Sequence, residues 1–218
     1  MRPIIIVNFK SYSQAIGASA VKLAKMCATV ASLKGVNIAV AVQPTDVYRV
    51  SSAVKIPVYS QHVDCIGKGA HTGWLLCESL KAAGGVGSLV NHSEHGISFS
   101  EIKQNVLGLK KLGMTSIVCA KGPAKVKQIA RLKPDHIAYE PPSLIGGKIS
   151  VSDAKPSIIK DCVALSGKTP LLVGAGVHNH HDVSAALGLG AKGILVASGI
   201  VKNKNPRKAL IDLCRGLN

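Results

Sequence analysis

Eight short runs of mostly apolar, often β-branched residues recur along the chain, and their spacing restricts the fold more than any other feature. They fall at 4–8, 37–42, 57–61, 87–91, 116–120, 136–140, 171–174 and 193–197, with starts about 27 residues apart on average. Each run has the length of a strand covered on both faces, and each interval leaves room for a loop and a helix. Successive strand–helix units without a polar linker between halves predict a single closed (β/α)8 barrel over residues 1–218, with an open doubly wound sheet as the runner-up. At this length per unit the barrel is compact, so some helices must be short or missing.

Helix signals lie between the runs. Residues 18–34 carry Val21, Ala24, Cys27 and Ala28 at helical spacing, and Gly35 follows as a stop. Ser98 with Glu101 three residues on forms a capping box, residues 182–189 end in glycines, and Pro206 suits the first turn of a last helix. Residues 61–76 read mostly as loop.

Composition narrows the class. With 47% hydrophobic and 17% charged residues, the chain can offset its ordering entropy by burial. No apolar stretch approaches the roughly 18 residues of a membrane-spanning helix, so no membrane partner is expected. Met1-Arg2-Pro3 leads straight into the first apolar run and then to Asn8 and Lys10, the pattern of a first strand in a cytoplasmic protein rather than of a secretory leader. The cysteines Cys27, Cys65, Cys77, Cys119, Cys162 and Cys214 include no Cys-x-x-Cys and mostly sit in apolar runs. They read as small core side chains in a reducing compartment, with neither a zinc site nor a disulfide framework.

The 27 Lys and Arg against 11 Asp and Glu leave a net charge of +16, which favours anionic ligands of any kind. Only one Trp, four Tyr and two Phe are available for base stacking and no long basic run occurs, so nucleic acid is not expected. Lys202, Lys204, Arg207 and Lys208 read as the solvated start of the last helix.

In a barrel of this kind the chemistry gathers at the carboxyl ends of the strands. There the chain places Asn8 and Lys10, His92 and Glu94, Glu140, then Gly174-Ala175-Gly176 and Ala197-Ser198-Gly199. Small residues after the last two strands let a phosphate approach backbone N–H groups. A lysine, a histidine and a glutamate at one mouth supply a cation, an electrophile and a base, the set required for proton transfer beside a carbonyl. His178, His180 and His181 beside Asp182 read as a solvated polar loop leading into a helix, and no metal is expected.

With these residues in order, the whole chain resembles the triosephosphate isomerases of the short archaeal type. Asn8-Phe9-Lys10 is similar to the family's first-strand Asn-x-Lys, and Asn91-His92-Ser93-Glu94 to its His-Ser-Glu segment. Tyr139-Glu140-Pro141-Pro142 with Ile145-Gly146 resembles the glutamate and lid, and residues 172–177 and 195–199 resemble its two phosphate loops.

The resemblance implies interconversion of dihydroxyacetone phosphate and glyceraldehyde 3-phosphate, without cofactor or metal. It assigns Glu140 as the base, neutral His92 as the electrophile and proton shuttle, and Lys10 as the electrostatic anchor, with Asn8 orienting its neighbours. Ile145 and Gly146 belong to the lid over residues 141–148, Gly176, Ala197 and Ser198 to the phosphate site, and Glu94 to a structural partnership with Lys10. It further implies a homotetramer, with a homodimer as the alternative. The competing reading is a non-catalytic barrel that binds a phosphate ligand or nucleic acid. Three departures stand out: His95-Gly96 where the family has arginine, Gly146-Gly147-Lys148 in the second half of the lid, and no acid after Cys119-Ala120-Lys121.

Overall fold

Parallel pairing runs without interruption around eight strands. A computed structural model describes residues 2–141 and 156–217. The strands are β1 Ile4–Asn8, β2 Asn37–Val42, β3 Val58–Ser60, β4 Gly87–Val90, β5 Thr115–Ala120, β6 His136–Tyr139, β7 Leu171–Val173 and β8 Gly193–Val196. Each pairs with the next, and β1 closes on β8 with Ile4 opposite Gly193 and Val7 opposite Val196, so the sheet is a closed barrel and not the open alternative.

Alternation along the strands explains why both faces are apolar. Ile6, Ala39, Ala41, Tyr59, Leu89, Ile117, Cys119, Ala138, Leu172 and Leu195 form one buried cluster, the barrel interior. Their neighbours Ile5, Val7, Ile38, Val40, Val90, Val118, Ile137, Val173 and Ile194 belong to a second cluster that also takes in the helices. A strand buried on both sides has no polar face to show, hence the continuous apolar runs. Full burial of each Ile or Leu contributes on the order of 1.5–3 kcal/mol.

Among the described residues the helices are α1 Ala18–Lys34, α2 Val47–Ser51, α3 Cys77–Ala82, α4 Phe99–Lys111, α5 Pro123–Ala130, α6 Pro156–Ser166, α7 His180–Gly188, α8 Ser198–Val201 and α9 Pro206–Arg215. Several are a turn or two long, as the short repeat requires. The expected capping signals operate. Gly35 ends α1 in left-handed backbone, Ser98 and Glu101 form a reciprocal box at α4, and Asn205 with Pro206 opens α9.

Two expectations are corrected. Cys65 and Cys77 are joined in a disulfide with Cα atoms 5.2 Å apart, while Cys27, Cys119, Cys162 and Cys214 are buried free thiols. The pairing arises because the chain returns to bridge Leu76, just before α3, with Asp64, a meeting that local sequence pattern does not encode. His180 and His181 lie in the first turn of α7 rather than in a loop, capped by Asn179, and His180 Nδ1 sits 3.0 Å from Asp212 Oδ1. Asp182 completes that capping box, which draws the helix start two residues earlier than the periodicity predicts.

Candidate active site

Side chains two residues beyond an interior position point into the same barrel axis, and this carries polar groups to the mouth. Ile6 leads to Asn8, Ala138 to Glu140, Leu172 to Gly174 and Leu195 to Ala197. A cavity of about 200 Å3 opens there, lined by Asn8, Lys10, Glu140, Gly176, Ala197 and Ser198 among others. A larger one of about 690 Å3 takes in His92 and Glu94 and shares Asn8 and Lys10 with the first, so the two meet at those residues. The fold thus brings together every candidate site residue in the described parts of the chain. Ile145 and Gly146, assigned to the lid, lie outside the described residues.

His92 is the pivot. Its Nε2 stands 3.3 Å from Glu140 Oε1, and its Nδ1 accepts the Glu94 backbone N–H at 3.2 Å. With Nδ1 engaged by the backbone, Nε2 is the ring nitrogen turned toward the mouth. Glu140 is buried, and its Oε2 has no hydrogen-bond partner among the described residues; nor has the buried Ser93 Oγ. Beneath Glu140, the Cys119 thiol is held protonated first by burial and then by the Glu140 charge. That thiol is therefore not a competing nucleophile.

Lys10 is presented by an unusual backbone. Its φ is +47°, left-handed for a residue with a side chain, and such a conformation persists only where neighbours enforce it. The Lys10 N–H donates to Asn8 Oδ1 at 3.0 Å, and Gln61 Nε2 donates to the Lys10 carbonyl at 3.0 Å and to that of Ala41 at 3.2 Å. Lys10 Nζ lies 2.6 Å from Glu94 Oε1, the partnership expected for that pair. An ammonium has three donors, so this contact leaves protons for a ligand.

Asn91 does for His92 what Gln61 does for Lys10. Its φ is +59°, its Nδ2 donates to the Cys119 carbonyl at 3.0 Å, and its Oδ1 accepts the Ile97 N–H at 3.1 Å. The left-handed turn swings the chain so that His92, next in line, enters the mouth. Gly174 acts through the space it leaves. A Cβ there would stand 2.4 Å from Glu140 Cγ, so only glycine makes room for the carboxylate. The supporting parts played by Gln61 and Asn91 are not visible in the sequence, because backbone hand and a partner 51 residues away leave no local signature.

The phosphate end is made of backbone. Among the described residues, no hydrogen bond takes up the N–H of Gly176, Ser198 or Gly199. With the Ser198 hydroxyl they form a concave set of donors at the start of α8, suited to a dianion. The whole mouth therefore pairs an oxyanion-binding end with a carboxylate and an imidazole, an arrangement for moving a proton on a phosphorylated carbonyl compound.

A family model described as triosephosphate isomerase matches residues 3–216. The triosephosphate isomerase of Methanosarcina acetivorans is 42% identical over 217 residues, with 98% of each chain covered. That of Methanothermobacter thermautotrophicus is 44% identical over 215 residues, covering 97% of this chain and 94% of its own. That of Methanothermus fervidus is 45% identical over 216 residues, covering 97% of both. A crystal structure of triosephosphate isomerase from Bartonella henselae covers 98% of both chains with a TM-score of 0.77 at 18% identity, a likeness of fold.

Proposed function

The chain belongs to the triosephosphate isomerase family, and on that premise we propose how its barrel mouth interconverts dihydroxyacetone phosphate and D-glyceraldehyde 3-phosphate. The observation that carries the mechanism is the His92–Glu140 pair, with Nε2 turned to the mouth while the Glu94 N–H engages Nδ1.

The substrate phosphate accepts hydrogen bonds from the N–H groups of Gly176, Ser198 and Gly199 and from the Ser198 hydroxyl. Ala197 contributes the small wall between them. Anchored there, the triose extends toward Glu140, whose carboxylate takes the proton from the carbon next to the carbonyl. Electrons move into the C–C bond and charge develops on the carbonyl oxygen. The His92 Nε2–H and the Lys10 ammonium meet that charge, which is worth far more in a dry, pre-oriented site than in water. His92 passes its proton to one oxygen and recovers one from the neighbouring hydroxyl. Glu140 then returns the carbon-bound proton to the adjacent carbon, completing the isomerisation. Every proton removed is replaced, so the reaction needs no redox partner. We assign Ile145 and Gly146 to the cover that keeps water from the enediolate, which would otherwise expel its phosphate.

A non-catalytic phosphate or nucleic-acid binder has no use for Glu140, since a carboxylate beside a dianion site weakens binding. The decisive experiment is Glu140→Gln. Isomerisation of glyceraldehyde 3-phosphate, coupled to reduction of the dihydroxyacetone phosphate formed, should fall by about 10²–10⁴ or more, while inorganic phosphate binds within a few-fold of the parent. Equal losses of both would remove Glu140 from the base role.

We also infer that residues 1–218 work as one barrel domain in the cytoplasm, in glycolysis and gluconeogenesis. No described helix is long and apolar enough to cross a membrane. A homotetramer is the assembly we favour over a homodimer. The exposed side chains of Leu33 and Tyr48 are apolar surface that subunit contacts would cover.

A further inference from the structure

The isomerase chemistry leaves one built feature unused, the cysteine pair beside the mouth. Cys65 follows β3, Cys77 opens α3, and their disulfide closes residues 66–76 into a loop. That loop is tied to the site by a continuous run of contacts. Asp64 Oδ2 accepts the Leu75 N–H at 2.9 Å, and the Asp64 N–H donates to the Leu75 carbonyl at 2.8 Å. His62 Nε2 lies 3.0 Å from Asp64 Oδ1, the His62 ring stacks on His95 with centroids 4.3 Å apart, and the His95 N–H donates to the His92 carbonyl at 2.9 Å. Gly73, Trp74 and Leu75, from within the closed loop, line the larger cavity together with Lys10, His92 and Glu94.

Helix α4 is shaped to receive the pair. A Cβ on Gly108 would stand 2.4 Å from the Cys65 Cβ and 2.7 Å from its Sγ, so the helix carries glycine at an interior position where glycine weakens it. One turn earlier, Asn105 accepts the Cys65 N–H at 2.8 Å and donates to the Val63 carbonyl at 2.8 Å. A surface groove of about 380 Å3, lined by both cysteines with Leu107, Gly108 and Lys111, reaches the disulfide from outside. The other four cysteines are buried, and burial pushes Cys27 and Cys162 up to about 12 and Cys214 to about 11. Thiols so shielded do not exchange.

We propose that Cys65–Cys77 is a redox modification site that takes a dithiol, and that its oxidation state sets how firmly residues 66–76 hold the substrate side of the mouth. A thiolate of the dithiol attacks Sγ of Cys65, the more exposed partner, and the S–S electron pair leaves on Cys77, which takes a proton. The second thiol of the reagent then attacks its own sulfur in the mixed disulfide, releasing Cys65, which is protonated in turn. The dithiol ends as a cyclic disulfide, and two electrons and two protons pass to the protein. Oxidised, the loop is fixed at both ends and presents a preformed wall; reduced, it is held by hydrogen bonds alone, and substrate must order it on binding.

The site itself is independent of the isomerase reading, and only its kinetic consequence rests on that reading. Full-length protein purified without reductant should titrate four thiols in denaturant, and six after treatment with dithiothreitol. Reduction should raise KM for glyceraldehyde 3-phosphate about three- to tenfold with kcat within about twofold, and oxidised dithiothreitol should restore the first value. Cys65→Ser should keep the reduced-form KM and ignore the reagent, whereas Cys27→Ser should respond as the parent does. Six thiols persisting after oxidant treatment would overturn the site. A disulfide that forms while KM stays the same in both states would overturn its control of the mouth. A thiol count that changes as expected in a protein with no isomerase activity in either state would sink the isomerase reading and leave the redox site standing.

Discussion

Replacing Gly174 with alanine should lower kcat roughly a hundredfold in a protein that still folds. The added Cβ would stand 2.4 Å from Glu140 Cγ, 3.1 Å from Cδ and 3.2 Å from Oε1, where ordinary contact begins near 3.4 Å. The Glu140 side chain must therefore retreat by about 3.4 − 2.4 = 1.0 Å. The backbone cannot absorb this, because the Glu140 N–H donates to the Ala120 carbonyl at 2.9 Å and the Gly174 N–H to the Tyr139 carbonyl at 2.8 Å. The shift falls on the carboxylate, now 3.3 Å from His92 Nε2. A misplacement of about 1 Å in reacting groups costs on the order of 10²-fold, or about 2.7 kcal/mol of barrier. Gly174 does not have positive φ, so alanine meets no backbone strain, and the melting temperature should fall by only a few degrees. Steady-state isomerisation gives kcat, and competition by inorganic phosphate reports the anion site, which should hold within about threefold. A folded variant with kcat within threefold of the parent would refute the claim that Gly174 sets the position of the base. Equal loss of phosphate affinity would mean that the whole mouth had shifted.

Three more expectations test other links. Because the net charge is +16, kcat/KM should decline as ionic strength rises, and a salt-independent value in stopped-flow or steady-state assays would place the excess charge where it does not steer substrate. Asn91→Ala removes two hydrogen bonds and puts alanine at φ +59°, for about 3 kcal/mol in all and a melting point lower by roughly 6–12 °C, while Asn91→Gly should recover the backbone part. Burial, partly opposed by Asp135, holds the pKa of His136 below its ordinary value, and its Nδ1 has no partner among the described residues. The unfolded chain therefore binds this proton more readily. The stability is complete above the unfolded pKa of about 6.5 and is lost as pH falls through the lower folded value. Thermal melts from pH 7.5 to 5 should show that loss, and His136→Leu should flatten it.

Much of the fold was legible because its signals are local. The eight runs mark strands to within a residue or so at each end, Gly35 and Pro206 bound their helices, and Ser98 with Glu101 caps α4 as the spacing predicts. The same holds for the placement of Asn8, Lys10, Glu140, Gly176, Ala197 and Ser198, each at the carboxyl end of a strand or just past it, where barrel geometry leaves one place for it to go. Residues 61–76 are different. They read as loop and contain little regular structure, but the pattern carried no sign that Cys65 and Cys77 meet, nor that His62 and His95 stack.

The chain by itself determined the strand–helix repeat, the apolar character of both strand faces and which polar residues stand at the strand ends, since these follow from neighbouring residues and their period. Closure of β1 on β8, the approach of His92 to Glu140, the left-handed backbones at Lys10 and Asn91, the space that Gly174 leaves for Glu140 and the Cys65–Cys77 bond were decided only by tertiary structure. Each depends on atoms from separate elements arriving within a few ångströms of one another, and that distance is set by the packing of the whole barrel rather than by any local stretch of sequence.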